Sequence, residues 1–302
     1  MTLLVIVGPT ASGKTELALR LAGERPAEIV SADSVQVYRH FNVGTSKPDA
    51  EQRARAVHHL IDCIEPLEPM DAARWAELAE AAIADIRSRG KVPIVCGGSF
   101  LYIKALLFGL APAPPADQAL RRRHQERAVR DGRAVLHVEL SRVDPATAAR
   151  LSPNDLVRVS RALEVYELTG IPMGQWQMRH GFGERRYDAK LVGVKWPRAE
   201  LDRRIYERAA VMLHQGWIAE VDRLLMAGYG AARAMQSVGY RQIAEALRAG
   251  PLTDPSDLLD SIAQKTRVFA RHQRTWLRDQ PVLWLSPDRL ATLRWEEVLE
   301  GS

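Results

Sequence analysis

The 302-residue chain carries a net charge of +5, with 46% hydrophobic and 26% charged residues, the balance of a soluble globular protein and, at ~150 residues per domain, about two domains. No charged leader with an apolar core opens it, and no apolar run approaches the ~20 residues of a membrane helix, so a cytoplasmic protein is expected. Cys63 and Cys96 are the only cysteines, far apart and without metal-ligand spacing, which argues against a zinc site or a disulfide framework.

The first element is the apolar run Leu3-Leu4-Val5-Ile6-Val7, a buried strand. It leads into Gly8-Pro9-Thr10-Ala11-Ser12-Gly13-Lys14-Thr15, and Glu16 to Ala22 continue in a helical pattern. This is G-x-x-x-x-G-K-[ST] in its required order of strand, loop and helix. The glycines let the backbone curl so that successive amides and the positive helix end face one phosphate. Lys14 adds a cation, and Thr15 is placed to put its hydroxyl on a magnesium ion bridging phosphate oxygens. A compound with a diphosphate or triphosphate is therefore expected here.

Ala27 to Ala32 reads as a second buried strand ending at Asp33, placed to reach the phosphate loop because ligands in open α/β sheets sit at strand carboxyl ends. Ser34 to Pro69 is irregular, with a turn at Gly44 to Pro48, and His58-His59 reads as a polar surface turn. Asp71 caps a helix with Trp75, Leu78, Ala79, Ala82, Ile83 and Ile86 at helical spacing, closed by Gly90. Val92 to Cys96 is a third strand, followed by Gly97-Gly98-Ser99. Strand, helix and strand in this order predict a parallel sheet with right-handed crossovers.

A composition shift follows. Prolines 112, 114 and 115 precede a basic helical stretch with Arg121, Arg122, Arg123, Arg127, Arg130 and Arg133. Asp144-Pro145 and Ser152 to Asp155 mark two helix starts, the second helix running to Gly170 with Leu156, Val159, Leu163 and Tyr166 on one face and Arg158 and Arg161 opposite. Residues 118–183 thus read as an all-helical insertion into a core formed by 1–117 and 184–302, where the sheet pattern resumes at Lys190 to Lys195.

In the helix after Pro197, Arg208 falls in the stripe of Leu201, Ile205 and Met212. A cation among core-facing positions is costly unless it meets an anion, so a bound phosphate, rather than a structural carboxylate or an outward-reaching arginine, is the expectation. The last long helix, about Pro255 to Asp279, places Leu258, Leu259, Ile262, Phe269, Trp276 and Leu277 on one side. Arg267, Arg271, Arg274 and Arg278 line the other. Such a line is often only a solvated face; with Arg158, Arg161 and the 121–133 cluster it reads as a phosphate-backbone track.

These residues leave open a P-loop small-molecule or nucleotide kinase using ATP, a regulatory nucleotide-binding module, or a transferase with a diphosphate leaving group. The strand Val92 to Cys96 ends in glycines rather than in a magnesium-holding carboxylate, which weakens an ATPase. Asp33, at another strand end, is either a base or a water-mediated magnesium ligand.

Seven blocks narrow the choice: GPTASGKT at 8–15, SADSVQVYRHFNVGTSKP at 31–48, HHLID at 58–62, GGSFLYIKALLFGL at 97–110, NDLVRVSRALEVYELTG at 154–170, QSVGYRQ at 236–242 and TRVFARHQRTWLR at 266–278. In this order they resemble the tRNA dimethylallyltransferase (tRNA isopentenyltransferase) family over nearly the whole chain. The resemblance implies a P-loop NTPase-like α/β fold with a parallel sheet flanked by helices and an all-helical insertion contacting tRNA. It also implies transfer of a dimethylallyl group from dimethylallyl diphosphate to the exocyclic amine of adenosine 37, beside the anticodon.

Carried over to this chain, the resemblance makes Asp33 the group that meets the amine. Thr10 and Arg208 engage the diphosphate, held by Gly8 to Thr15, with Mg2+ as cofactor. Contacts to the tRNA anticodon stem-loop fall on Asp33, Ser34, Val35 and Gln36, on Ser99 and Arg121, on Val157, Arg158, Val159, Ser160 and Arg161, and on Gln236, Ser237, Val238, Gly239, Tyr240 and Arg241. A monomer without membrane attachment is implied. Ser99 stands where threonine is common, and Gln36 is more polar than the usual aliphatic residue. The cysteine-based zinc module of some eukaryotic members is absent, which suits a bacterial form.

Overall fold

The computed structural model describes residues 2–250 and 255–300. Six strands form one all-parallel sheet: β1 (Leu3–Val7), β2 (Ala27–Ala32), β3 (His58–His59), β4 (Val92–Gly97), β5 (Ala189–Val194) and β6 (Val282–Leu285), in the order β3-β2-β4-β1-β5-β6. All five residues of β1 are buried, as expected of a central parallel strand with both faces covered, which reads as a continuous apolar run instead of an alternation. β1 pairs with β4 on one side and β5 on the other. The chain order reverses there, so the carboxyl end of β1 is the switch point where open α/β sheets bind ligands.

The helices of this unit are α1 (Lys14–Glu24), α2 (Ala50–Arg55), α3 (Ala72–Ser88) and α4 (Phe100–Phe108). Three further helices, α5 (Gln118–Asp131), α6 (Arg133–Val143) and α7 (Pro145–Ala148), are followed by α8 (Leu156–Thr169) and α9 (Met173–His180). After β5 come α10 (Arg198–His214), α11 (Trp217–Met226), α12 (Tyr240–Ala249), α13 (Ser256–Leu277) and α14 (Trp295–Glu300). The chain divides into two compact units, Met1–Leu107 with Tyr187–Ser302, and Phe108–Arg186.

The second unit holds α5 to α9 around Leu136, Leu140, Val159, Ala162 and Leu163. Asp144 starts two of its helices: Oδ1 accepts from Thr147 N at 3.1 Å to cap α7, and Oδ2 accepts from Gly174 N at 2.9 Å in the first turn of α9. Asp155 caps α8 by accepting from Arg158 N, and Gly170 closes it in the left-handed conformation.

Two local expectations change. His58 and His59 form a short edge strand beside β2, because His59 Nε2 lies 2.7 Å from the buried Glu28 carboxylate. Glu28 also binds Arg89 and Lys91, and the Arg89 guanidinium above all holds its carboxyl well below the usual carboxylate range. Within the irregular stretch lies α2, started by a capping box in which Asp49 and Gln52 satisfy each other's backbone amides at 2.8 and 3.3 Å.

Candidate active site

The loop between β1 and α1 is held open by ties on its outside. Ala11 (φ 63°) and Gly13 (φ 88°) take left-handed backbone angles, which turn the chain sharply and cost a non-glycine residue such as Ala11 energy. The Ala11 carbonyl accepts from Arg204 Nε at 2.9 Å, and the Ser12 carbonyl from Trp196 Nε1 at 3.0 Å, while the Arg204 guanidinium lies 4.2 Å from the Trp196 ring centre. The amides of Gly13, Lys14 and Thr15 donate to no group among the described residues, the ordinary state of a helix start waiting for an anion.

Two cations face this cradle. Lys14 Nζ folds back onto the Pro9 carbonyl at 2.7 Å. Burial is the main cause that pulls its pKa down to about 8, with Arg208 adding to the fall and Cys96 and Asp33 opposing it. Arg208, on α10, donates from Nη1 to Thr10 Oγ1 at 2.7 Å and from Nε to Ser46 Oγ at 3.1 Å. No carboxylate lies within ion-pair distance of it among the described residues, and burial lowers its pKa against the opposing pull of Asp33. An enclosed guanidinium tethered by two hydroxyls and left without a counter-charge is a site prepared for an anion.

Asp33 follows directly on β2. Its Oδ1 accepts from the amides of Val35 (2.8 Å) and Gln36 (3.2 Å), an Asx turn that fixes the side chain. Oδ2 has no hydrogen bond among the described residues. Ser99 brackets this carboxylate: its Oγ accepts from Ser34 N at 2.9 Å, and its N–H donates to the Ala32 carbonyl at 3.0 Å. Gln36 turns its side chain inward, donating to the Thr45 and Ser46 carbonyls and accepting from Ser31 Oγ.

Thr10 to Glu16, Asp33, Gln36, Arg204, Arg208 and Gln273 lie on the wall of one cavity of about 990 Å3. Its far side is the turn Asn42 to Lys47. Buried Glu220 of α11 accepts the amides of Asn42 (3.0 Å), Val43 (2.8 Å) and Gly44 (3.4 Å) together with the Tyr240 hydroxyl (2.6 Å). Lys47 Nζ reaches Asp62 at 2.5 Å and the Tyr38 carbonyl at 2.6 Å, and Arg53 binds the other Asp62 oxygen at 2.8 Å. Glu220, Ser46 and Gln273 escaped the sequence reading. For Gln273 a signal existed, a polar residue on the helix line 266, 270, 273 and 277.

The sequence-predicted nucleic-acid contacts divide by exposure. Val157 and Arg158 are exposed, whereas Val159 and Ser160 are buried, Ser160 Oγ lying 2.9 Å from His124 Nδ1. Arg121 and Arg161 both clasp Glu164, at 3.0 and 2.7 Å. Burial disfavours the Glu164 charge, but the arginine hydrogen bonds win and keep its carboxyl below the usual range. In the stretch Gln236 to Arg241, Gln236 and Arg241 are exposed and Ser237 and Val238 half-buried, while Gly239 and Tyr240 are enclosed.

On α13, Arg271 and Arg278 are exposed, Arg278 beside Asp279 at 3.2 Å, and Arg267 and Arg274 are half-buried. Trp276, half-buried, packs face to face on Phe100 at 4.4 Å. Phe269, expected on the apolar side, is instead 45% exposed and lines the cavity, because the buried line of α13 runs through Leu258, Ile262, Ala270, Gln273 and Leu277.

No group of three or more His, Cys, Asp or Glu side chains could hold a metal ion by itself among the described residues. The exposed Thr15 hydroxyl on the cavity wall and phosphate oxygens are nevertheless the hard donors magnesium takes, so a metal fits here as a companion of a bound diphosphate.

The profile of the family described as IPP transferase matches residues 36–280 of the chain. The tRNA dimethylallyltransferase of Sorangium cellulosum is 59% identical over 284 residues, covering 94% of this chain and 90% of that protein. The solved tRNA isopentenylpyrophosphate transferase of Bacillus halodurans superposes with a TM-score of 0.69 at 31% identity, covering 99% of this chain and 93% of the other. A eukaryotic dimethylallyltransferase acting on tRNA shares the fold with a TM-score of 0.77 at 24% identity, over 99% of this chain and 77% of its own.

Proposed function

The chain belongs to the IPP transferase family, the tRNA dimethylallyltransferases, and from that premise we propose that it moves a dimethylallyl group from dimethylallyl diphosphate to the 6-amino group of adenosine 37 of tRNA. It is a prenyltransferase, and a kinase using ATP is not favoured. The observation that carries the assignment is the pairing of Arg208 with Thr10 at the amide cradle while Asp33, with Oδ2 unengaged, lines the same cavity.

The chemistry follows from those groups. The adenine amine is a weak nucleophile because its lone pair is delocalised into the ring. As it attacks the allyl carbon, the carbon–oxygen bond breaks and diphosphate departs with the electron pair. Asp33 takes the amine proton, help worth ~10²- to 10⁴-fold. Arg208, Lys14 and the free amides of Gly13 to Thr15 stand where the leaving-group charge grows. Water must be displaced from the allyl carbon when the donor and the extruded base fill the cavity, because an allyl cation would otherwise be hydrolysed.

Mg2+ would be held by Thr15 and the diphosphate oxygens and would supply further charge neutralisation. Asp33 is assigned as the base. The amine must leave its stack to enter, which is cheapest in a single-stranded loop. The anticodon stem-loop is thus the partner, and the segments 33–36, 157–161 and 236–241, Ser99, Arg121 and the α13 arginines are its contacts. Within them Val157, Arg158, Gln236, Arg241, Arg271 and Arg278 offer exposed side chains, whereas Arg121, Arg161, Ser99 and Tyr240 act by shaping the surface. The helical segment 118–183 serves this RNA-binding role, and 1–117 with 184–302 form the catalytic core. No helix among the described residues is long and apolar enough to cross a membrane, and we assign a cytoplasmic monomer.

Incubating the protein with an anticodon stem-loop and either labelled dimethylallyl diphosphate or labelled ATP tests this. Label should reach the RNA from the allyl donor alone and vanish when adenosine 37 is replaced by a base without a 6-amino group. Label from ATP on any acceptor would restore the kinase.

A further inference from the structure

Gln273 is 5% exposed and sits on the buried line of α13 among Ile262, Ala270 and Leu277. Both ends of its amide are used: Oε1 accepts from Thr10 N at 2.8 Å and Nε2 donates to the Gly98 carbonyl at 3.0 Å. A backbone N–H only donates and a carbonyl only accepts, so these two partners fix the orientation of the amide. The fit is close, since a Cβ on Gly98 would meet Gln273 Nε2 at 2.4 Å.

Each partner leads to a reacting group. Thr10 is held on its amide by Gln273 and on its hydroxyl by Arg208. Gly98 precedes Ser99, which binds the Ala32 carbonyl and the Ser34 amide, the two peptide groups on either side of Asp33. One side chain from α13 therefore ties the diphosphate cradle to the bracket that carries the carboxylate. A longer chain of hydrogen bonds, from Thr10 through Arg208, Ser46 and Gln36 to Asp33, also links the two ends; Gln273 spans them with one side chain.

We propose that Gln273 is a positioning residue that sets the spacing between the Thr10–Arg208 end of the cavity and Asp33, an inference that rests on the prenyl-transfer reading of this site. Leaving group and base act on opposite sides of one allyl carbon and one amine. Their separation must match a near-attack geometry, and an error of about 1 Å in such a spacing costs ~10²-fold in rate. A bidentate amide suits the task because its donor and its acceptor are held by one rigid plane.

The test uses the full chain in two variants. Gln273→Glu keeps an acceptor for Thr10 N but sets an oxygen against the Gly98 carbonyl; Gln273→Met keeps the volume and removes both bonds. In each, kcat for allyl transfer should fall ~10- to 100-fold while the KM for the stem-loop stays within about twofold and the circular dichroism spectrum is unchanged. A kcat within about threefold of the parent in the folded Gln273→Met protein, or a loss confined to the KM for RNA, would overturn the proposal.

Calorimetric binding of inorganic diphosphate separates this from failure of the underlying reading. If the parent transfers no allyl group, the prenyl-transfer reading falls. Positioning of the cradle by Gln273 then stands if diphosphate binds ~10-fold or more weakly to the variants, and is overturned if its affinity is unchanged. Should Gln273→Met not fold, the same comparisons are made on Gln273→Glu.

Discussion

Replacing Arg208 by methionine should separate function from stability in opposite directions. The guanidinium is tethered by Thr10 and Ser46 but has no carboxylate within ion-pair distance among the described residues, and burial disfavours its charge. Because the cavity still admits water to it, removing this uncompensated cation should raise stability by only about 1 kcal/mol, or ~2 °C in a chain of this size. The same change removes charge stabilisation at the leaving group, which should lower kcat/KM for the allyl donor by ~10²- to 10³-fold.

Diphosphate provides an independent reading. At 100 times its Kd it should stabilise the parent by about 2.7 kcal/mol. If the variant binds ~100-fold more weakly, the same concentration adds only about 0.4 kcal/mol. Thermal melts with and without inorganic diphosphate, alongside transfer kinetics, measure all three effects. A variant that melts lower than the parent and keeps the full diphosphate shift would refute the assignment of Arg208 as an anion partner.

Four other outcomes follow from the same geometry. Asp33→Asn keeps the Asx turn but not the base, so stem-loop affinity should persist while transfer drops ~10²- to 10⁴-fold; near-parent turnover in single-turnover assays would remove Asp33 from that role. With its pKa at about 8, Lys14 should take up a proton when diphosphate binds at pH 8 to 9, seen by calorimetry in buffers of different ionisation enthalpy and lost in Lys14→Met. Since the folded value lies below the ordinary 10.5, the unfolded chain binds more protons between the two, and this group should make the free protein more stable as pH rises from 8 towards 10.5. Glu220→Gln leaves one oxygen to serve three amides and the Tyr240 hydroxyl, so at ~1–3 kcal/mol per orphaned donor the melting temperature should fall by about 6 °C or more.

Much of this was legible in the sequence because it rests on local rules. The glycine and lysine spacing of residues 8–15, the caps at Asp71, Asp144 and Asp155, and the unbroken apolar strands each follow from a few neighbouring residues. Arg208 stood out because a cation in an apolar stripe demands an explanation, and the structure joins it to Thr10. What was hidden depends on distant partners. No local pattern says that Glu220 gathers the amides of a turn far earlier in the chain, or that Arg121 and Arg161 are committed to one buried carboxylate. Phe269 was misplaced because an aromatic side chain on an amphipathic helix looks like core until the rotation of the helix is known. His58-His59 joined the sheet through a pairing with β2 and a contact with Glu28 that lie far apart in sequence.

The most direct measurement is the structure of the protein with an anticodon stem-loop and an unreactive thio-analogue of dimethylallyl diphosphate. Prenyl transfer predicts the diphosphate on the amides of Gly13 to Thr15 beside Arg208, with Asp33 Oδ2 within about 3 Å of the extruded adenine 6-amino group. A nucleotide triphosphate preferred in that cradle, or an adenine whose amine faces away from Asp33, would contradict it.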